Sequence, residues 1–341
     1  MQAHYSKTRN LARMGKYVLV GLSLMLICRW ILYKEGMLYT TDAALIIKEV
    51  GNRYVKNGTN YDHLPEDFIF LVNPKNKCSS NSTTQGTSFL VGVESLVLNF
   101  EQRAAVRQTW ANNDLLNRLS ARVIFLIGIN EDAQLQKRLN RESAEYDDLV
   151  QGSFVEHFKN LTLKTIMFLR WSQCFCSTVK YAIKTDDDVL VNLRMILQVI
   201  KSNPTSGLYL GYTRAQFHVI RNPNNPYYTS YEAYPEQNYP VYASGPLYIL
   251  SQDVATRAYD YISSHPTGYI SSEDAFIGVI MSKLNVSVHP YTNIEINRGS
   301  SNLGCFFTEY IAVHRVAPNE MLKFWPVYET KFVTKNKQLI V

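Results

Sequence analysis

The sequence predicts an α/β fold built on a doubly wound, mostly parallel sheet. Three observations carry that expectation. From Ser88 onward, short apolar runs alternate with segments of helical spacing, the βαβα order that a parallel sheet requires. The strand-like run Val179 to Thr185 ends in Asp186-Asp187-Asp188, so three carboxylates stand at the carboxyl end of a strand, where open α/β sheets hold ligands. The chain has 341 residues, 46% of them hydrophobic, enough for a large domain with a sizeable core.

The elements follow in order. Phe68 to Val72 is the first apolar run able to pack on a domain, and Asn73 to Thr87 reads as loop. Ser88 to Val93 is strand-like, and Phe100 to Trp110 has helical spacing, with Val106 and Trp110 four apart. Arg122 to Gly128 is a strand, followed by a polar helix over Ala133 to Ala144 and an amphipathic helix over Leu161 to Trp171. Leu193 to Ile200 is a helix behind the acidic triplet. Ser271-Ser272-Glu273-Asp274 precedes Ala275 to Met281, a serine cap with acids in the first turn of a helix. There is no internal repeat and no low-complexity tract.

The N-terminus has a different character. Residues 1–16 carry Lys7, Arg9, Arg13 and Lys16 and no acid, and read as a cytosolic tail. Residues 17–33 are apolar enough for a short membrane span, with Arg29, Trp30 and Tyr33 suited to the far interface. That is the pattern of a type II signal anchor with the remaining chain lumenal. A cleaved signal peptide is the alternative, disfavoured because no small-x-small site follows the apolar run. Residues 34–65 are polar and mixed, a stem ahead of a globular domain over 66–341.

Lumenal exposure agrees with four glycosylation sequons, at Asn57, Asn81, Asn160 and Asn285. Beyond Cys28 in the anchor, Cys78, Cys174, Cys176 and Cys305 form an even set, open to three connectivities if two disulfides form. The net charge of +6 is spread without a basic stripe, which argues against a nucleic-acid partner.

The triplet carries the chemistry. Hard carboxylate ligands suit Mn²⁺ or Mg²⁺, and such an ion commonly clamps nucleotide phosphates. Standing alone, three acids would be read first as a solvated acidic turn. Arg103 and Arg107 are four apart, so they repel unless an anion lies between them; spacing alone favours two solvated arginines paired with Glu101 or Asp114. The acids Glu273 and Asp274 are explained by the helix start, although a helix start can also present a carboxylate to a cleft. His314 lies in an apolar run, where a histidine is more often a core residue; it becomes a ligand if the triplet binds metal. Tyrosines crowd the interval 227–248, which suits carbohydrate recognition or loop packing. Ser244-Gly245-Pro246 within it reads as a backbone bend that could approach a ligand.

In order, these segments resemble the inverting β1,3-glycosyltransferases, which include β1,3-galactosyltransferases and β1,3-N-acetylglucosaminyltransferases. The likeness runs from Phe68 to Trp325 through R-A-A-V-R-Q-T-W (103–110), V-I-F-L-I-G (123–128), N-L-T-L-K-T (160–165), K-T-D-D-D-V (184–189), Y-P-V-Y-A-S-G-P-L-Y (239–248) and E-D-A-F-I-G (273–278). It closes with Cys305, His314, Pro318, Met321 and Trp325 in the pattern C-x8-H-x3-P-x-x-M-x3-W. The resemblance implies a GT-A type domain using a UDP-sugar, first choice UDP-galactose, with Mn²⁺ or Mg²⁺. Asp186 and Asp188 stand at the metal-binding D-x-D position, His314 where a C-terminal ligand belongs, and Asp274 at the general base. Arg103, Arg107, Asp148 and Lys164 match motif positions near the nucleotide, and Asp187 and Gly245 join them as donor-contacting. Cys78 and Cys176 fall where the family often has cysteine. Glu156 stands where aspartate is usual, Ala243 where cysteine is frequent, and Cys174 is extra. The implied activity is transfer of a sugar to a glycan hydroxyl in β1,3 linkage with inversion, by a Golgi membrane enzyme. N-acetylglucosaminyl or N-acetylgalactosaminyl transfer, nucleotide-sugar hydrolysis, and a carbohydrate-binding scaffold on the same fold are the alternatives.

Overall fold

The computed structural model describes residues 68–79, 88–214, 217–297 and 309–336. The anchor 17–33, the stem 34–65, Asn57, Asn81 and Cys305 lie outside the described residues. The chain divides into two compact units, Met1–Glu49 and Val50–Val341, and all described residues belong to the second. Among the described residues no helix is long and apolar enough to cross a membrane.

The strands are β1 (Phe70–Val72), β2 (Phe89–Glu94), β3 (Ala121–Ile129), β4 (Leu149–Val155), β5 (Tyr181–Asp186), β6 (Leu190–Val191), β7 (Tyr209–Arg214), β8 (Tyr242–Ser251), β9 (His289–Pro290), β10 (Ile294–Glu295) and β11 (Ala312–Val313). Eight form one sheet in the order β1-β4-β3-β2-β5-β8-β7-β9; β10, β11 and β6 form a small second sheet. The helices are α1 (Phe100–Gln108), α2 (Asn113–Arg118), α3 (Ala133–Tyr146), α4 (Leu161–Phe175), α5 (Leu193–Lys201), α6 (Gln252–Ser264), α7 (Glu273–Lys283) and α8 (Pro318–Asn336).

The sheet is mixed, with four parallel pairings and three antiparallel ones. Its centre, β4-β3-β2-β5, is parallel throughout. The flanks are not: β1 runs antiparallel to β4, and β8 runs antiparallel to both β5 and β7. The reason is connectivity. Parallel neighbours need a crossover, usually a helix. No helix separates β7 from β8 among the described residues, so β8 returns as the second arm of a wide hairpin.

Alternation along β2 divides the core. Phe89, Val91 and Val93 enter a cluster with Val106 and Trp110, Leu139 of α3, Ile196 of α5 and Trp325 of α8. Leu90 enters the opposite cluster, with Phe168 of α4, Val254 of α6 and Phe276 of α7. Helices therefore cover both faces, the doubly wound arrangement that the βαβα order predicts. The helix α4 is not amphipathic in place: a run from Thr162 to Leu169 is buried, because α6 and α7 cover the side that the sheet does not.

Two details position the site. The carboxyl ends of β2 and β5 are in register, with Glu94 opposite Asp186. On β8, the pairing with β7 slips between Tyr248 and Ala243, so Ser244–Leu247 leave the ladder. The segment Ser244-Gly245-Pro246 is thus not a turn but a bulge inside a strand, a device that re-aims backbone groups.

Cys78 is bonded to Cys176 with Cα atoms 5.3 Å apart, tying the loop after β1 to the end of α4. Cys174 is exposed and outside this bond. Of the sequons, Asn285 is exposed just beyond α7. Asn160 is 2% exposed, and its Nδ2 donates to Val155 O at 2.8 Å. Thr162 of the same sequon is fully buried, its hydroxyl donating to Ile270 O at 2.6 Å. Asn160 is therefore a structural residue at the head of α4, which corrects its reading as a glycan acceptor. Site mapping by mass spectrometry on chain made in a secretory host should find sugar on Asn285 and none on Asn160. Glycan on Asn160 of the folded protein would contradict this placement.

Candidate active site

Side chains two apart on a strand share a face. On β5 that puts Lys184 and Asp186 together, at the edge where β2 and β8 flank them. Lys184 is 2% exposed, and its ammonium donates to Asp186 Oδ1 at 2.6 Å and to Gly245 O at 2.9 Å. Glu94 Oε2 and Glu273 Oε2 each lie 3.3 Å away. One buried cation thus serves three carboxylates. Burial alone would lower the Lys184 ammonium, but Asp186, Glu273 and Glu94 outweigh it and hold it well above the usual lysine range.

Three acids around one base leave an excess of negative charge, and a proton corrects it. Burial pushes the Glu94 carboxyl up to about 8 against the pull of Lys184. Hydrogen-bond counting agrees. The Thr165 hydroxyl lies 2.8 Å from Glu94 Oε1 and 2.7 Å from Glu273 Oε1. It has one hydrogen to give. Glu273 Oε1 also accepts from the Tyr248 hydroxyl at 2.6 Å, and burial pushes this carboxyl up as well, against the pull of Lys184. The single hydroxyl hydrogen serves one of the two carboxylates, and a proton on the Glu94–Glu273 pair, both pushed up by burial, completes the other contact.

Above this buried layer opens a cleft of about 640 Å³, lined by the triplet, Asp274, Gly245 and His314 among others. Asp186, Asp188 and His314 each offer a ligand atom, all within 4.8 Å of one another. His314 Nε2 is 3.5 Å from Asp188 Oδ2, while Nδ1 lies 3.1 Å from Ile296 O. A hydrogen bond from Nδ1–H to that carbonyl would leave the Nε2 lone pair for an ion, the usual support of a metal-binding imidazole. Two carboxylates and one imidazole fit Mn²⁺ or Mg²⁺. Asp187 is not part of this set. It is 8% exposed and accepts from Ser95 Oγ at 2.7 Å and Asn99 Nδ2 at 2.9 Å, so it anchors the loop after β2.

Asp274 stands in the first turn of α7, but helix-start chemistry does not describe it. Ser272 at the N-cap makes no side-chain capping bond; its hydroxyl donates to Asp274 Oδ1 at 3.0 Å. Asp274 Oδ1 also accepts from its neighbour's amide, Ala275 N, at 2.9 Å, and Oδ2 accepts from Gly245 N at 3.1 Å. Gly245 is therefore a joint. Its carbonyl holds Lys184, beside Asp186, and its N–H holds Asp274. The adjacent Glu273 points the other way, into the buried layer.

The structure does not bring every expected donor-contacting residue to the cleft. Arg103 is fully buried, and its guanidinium donates to both oxygens of Glu142, at 2.8 and 2.7 Å, and to Leu96 O at 2.6 Å. Arg107 makes two bonds to Asp148, both 2.8 Å, and one to Glu142 at 2.7 Å. The two arginines are thus neither solvated nor paired with Glu101 or Asp114. Two carboxylates from α3 and the start of β4 neutralise them, and with Asp148 they stand outside the cleft lining. Lys164 borders the cleft, yet its ammonium is buried, 2.6 Å from Glu156 Oε1 and donating to Ser95 O at 2.6 Å. Arg103 and Lys164 hold the loop 95–99 from behind, and Arg107 and Asp148 join them through Glu142. Sequence reasoning passed over Lys184, Glu94 and Thr165; the one readable signal was the spacing of Lys184 two residues before Asp186.

The family profile described as Galactosyltransferase matches residues 101–292. Beta-1,3-galactosyltransferase 1 of Homo sapiens is 34% identical over 266 residues, covering 76% of this chain and 78% of that one. Beta-1,3-galactosyltransferase 5 of Homo sapiens is 29% identical over 312 residues, covering 90% and 95%. The chain belongs to the galactosyltransferase family, and its relatives are glycosyltransferases. Among solved structures, a glycosyltransferase involved in glycosylation of the major capsid of PBCV-1 aligns with TM-score 0.37 and 9% identity over 69% of this chain and 98% of that one, a likeness too distant to bear on the site.

The proton on Glu94 has a measurable consequence. Between its ordinary value of 4.5 and about 8, the folded chain keeps a proton that the unfolded chain releases. Stability therefore falls as pH rises through that window. Glu94→Gln mimics the protonated form and lacks this dependence. Denaturant titrations should find the wild type losing stability relative to Glu94→Gln from about pH 4.5 to 8. Parallel pH profiles would mean that Glu94 is ionised in the fold.

Proposed function

We propose that this chain is a metal-dependent galactosyltransferase of GT-A type that moves galactose from UDP-galactose to a glycan hydroxyl, in β1,3 linkage and with inversion. The carrying observation is the cleft itself, where Asp186, Asp188 and His314 converge and Asp274 is tied to them through Gly245. The names of the relatives support galactose and the linkage. The basic flank and apolar span 17–33 support a type II protein with its catalytic unit in the Golgi lumen.

Asp186, Asp188 and His314 would hold the ion. A divalent cation there supplies Lewis-acid neutralisation of charge on a departing diphosphate. The chain's own residues do the remaining work. Asp274 is oriented by three donors, from Ser272, Ala275 and Gly245. Its carboxylate takes the proton from the acceptor hydroxyl as that oxygen attacks the anomeric carbon. The new bond forms on the face opposite the breaking bond to UDP, so one base suffices and no covalent enzyme intermediate is needed.

The full chain, assayed with UDP-galactose, a panel of glycan acceptors and Mn²⁺, should transfer galactose, lose activity in EDTA and regain it on adding metal. Asp188→Ala should lose UDP-galactose affinity. Asp274→Asn should keep that affinity and lose roughly 10²–10⁴-fold in turnover. A well-folded Asp274→Asn chain with near-normal transfer would remove Asp274 from the role of base.

A further inference from the structure

We infer that Phe158 and Tyr227 form a platform at the cleft on which a pyranose ring of the acceptor stacks. This rests on the transferase reading of the cleft and adds to it the element that holds the acceptor. Both side chains line the cleft that contains Asp274. Both are unusually open for large aromatic groups, Phe158 at 42% and Tyr227 at 46% exposure. Their rings meet edge to face, with centroids 5.4 Å apart and planes at 78°. In that geometry one ring braces the other and a π-face stays uncovered. Among the described residues, the other exposed large aromatic rings are occupied differently: Arg107 covers Tyr146 and Arg221 covers Tyr231.

The platform is built rather than loosely draped. Phe158 opens a short 3₁₀ turn, Phe158–Asn160, just before α4. Tyr269 OH donates to Lys159 O in that turn, and Thr162 just beyond it donates to Ile270 O at 2.6 Å. The turn is therefore fastened to the segment that runs into Asp274. Tyr227 lies on the long loop between β7 and β8, and Arg221 organises that loop. Its guanidinium donates to the carbonyls of Thr229, Ser230, Tyr234 and Glu236, at 2.9, 2.7, 2.7 and 2.6 Å. The loop then packs on the same segment. A Cβ on Gly268 would lie 1.9 Å from Ala233 O, so only glycine permits that approach. Both aromatic residues are thus held, by separate fastenings, against residues 268–270, a few positions ahead of the proposed base.

Chemistry identifies the occupant. A pyranose presents a face of C–H bonds to an aromatic ring and a rim of hydroxyls to polar groups. The diphosphate of the donor is anionic and is drawn to the ion rather than to an apolar ring, and stacking of its uracil base instead is the outcome that the donor KM below detects. An apolar, uncharged platform beside an acid that must deprotonate a sugar hydroxyl suits the acceptor, not the leaving group.

The test uses the full chain in detergent. Saturation-transfer NMR is run with methyl β-glycosides of galactose, glucose, N-acetylglucosamine and N-acetylgalactosamine, and transfer kinetics follow with UDP-galactose and the best of them. Phe158→Ala and Tyr227→Ala should weaken glycoside binding and raise the acceptor KM by roughly tenfold or more. The KM for UDP-galactose and the melting temperature should stay put. Tyr227→Phe and Phe158→Tyr should bind as the wild type does, because a ring suffices. Unchanged acceptor binding in both alanine variants, or an equal rise in donor KM, would overturn the platform. So would a wild-type chain that binds none of the four glycosides. Failure of UDP-galactose as donor while glycoside binding still depends on Phe158 and Tyr227 would overturn the donor assignment instead and leave the platform standing.

Discussion

One buried ammonium organises this molecule. Lys184 is enclosed with Glu94, Asp186 and Glu273 and with the carbonyl of Gly245. Desolvating a lysine is costly, and the carboxylates offset that cost only if they are all held at short range. Their positions come from four elements: the ends of β2 and β5, the bulge of β8 and the first turn of α7. The electrostatic demand of one side chain therefore fixes how these elements meet. The cleft opens where they do.

The same constraint separates structural acids from chemical ones. Glu94 and Glu273 are buried at the cleft wall and spent on Lys184 and Thr165, with Tyr248 also bonded to Glu273. Asp186 bridges the two layers, touching Lys184 with one oxygen while standing beside Asp188 and His314. Asp274 faces the cleft, aimed by Gly245. The Arg103–Glu142–Arg107–Asp148 chain supports this from the far side. Through Leu96 O and Ser95 Oγ, Arg103 holds the loop whose Ser95 and Asn99 bind Asp187. An arginine outside the cleft thus reaches the acidic triplet through two hydrogen bonds.

Much of this could be read from sequence, for definite physical reasons. The central strands β2 and β3 were legible because they are near-continuous apolar runs, as strands buried on both faces must be. The triplet stood out because it closes an apolar run, but only the ordered motifs around it raised it above a solvated acidic turn. The antiparallel return of β8 was not, because a long loop without a helix leaves strand direction open. The pairing of Arg103 with Glu142 was not, because 39 residues separate them and Glu101 and Asp114 were nearer in sequence. Asn160 matched a sequon perfectly, and only burial removes it from that role. Glu273 and Asp274 look alike in sequence as helix-start acids; their opposite directions depend on Lys184 and Gly245, which lie on other elements.

The central claim is that Lys184 joins the metal-type acids to the proposed base. Its most direct test is Lys184→Met, followed by denaturant unfolding and by galactose transfer from UDP-galactose. Removing the cation leaves buried carboxylates without compensation, a loss on the order of 3–5 kcal/mol. At a temperature where the variant is still folded, transfer should fall at least a hundredfold, because Asp186 and Gly245 both lose the group that positions them. A Lys184→Met chain with wild-type stability and wild-type transfer would contradict the account.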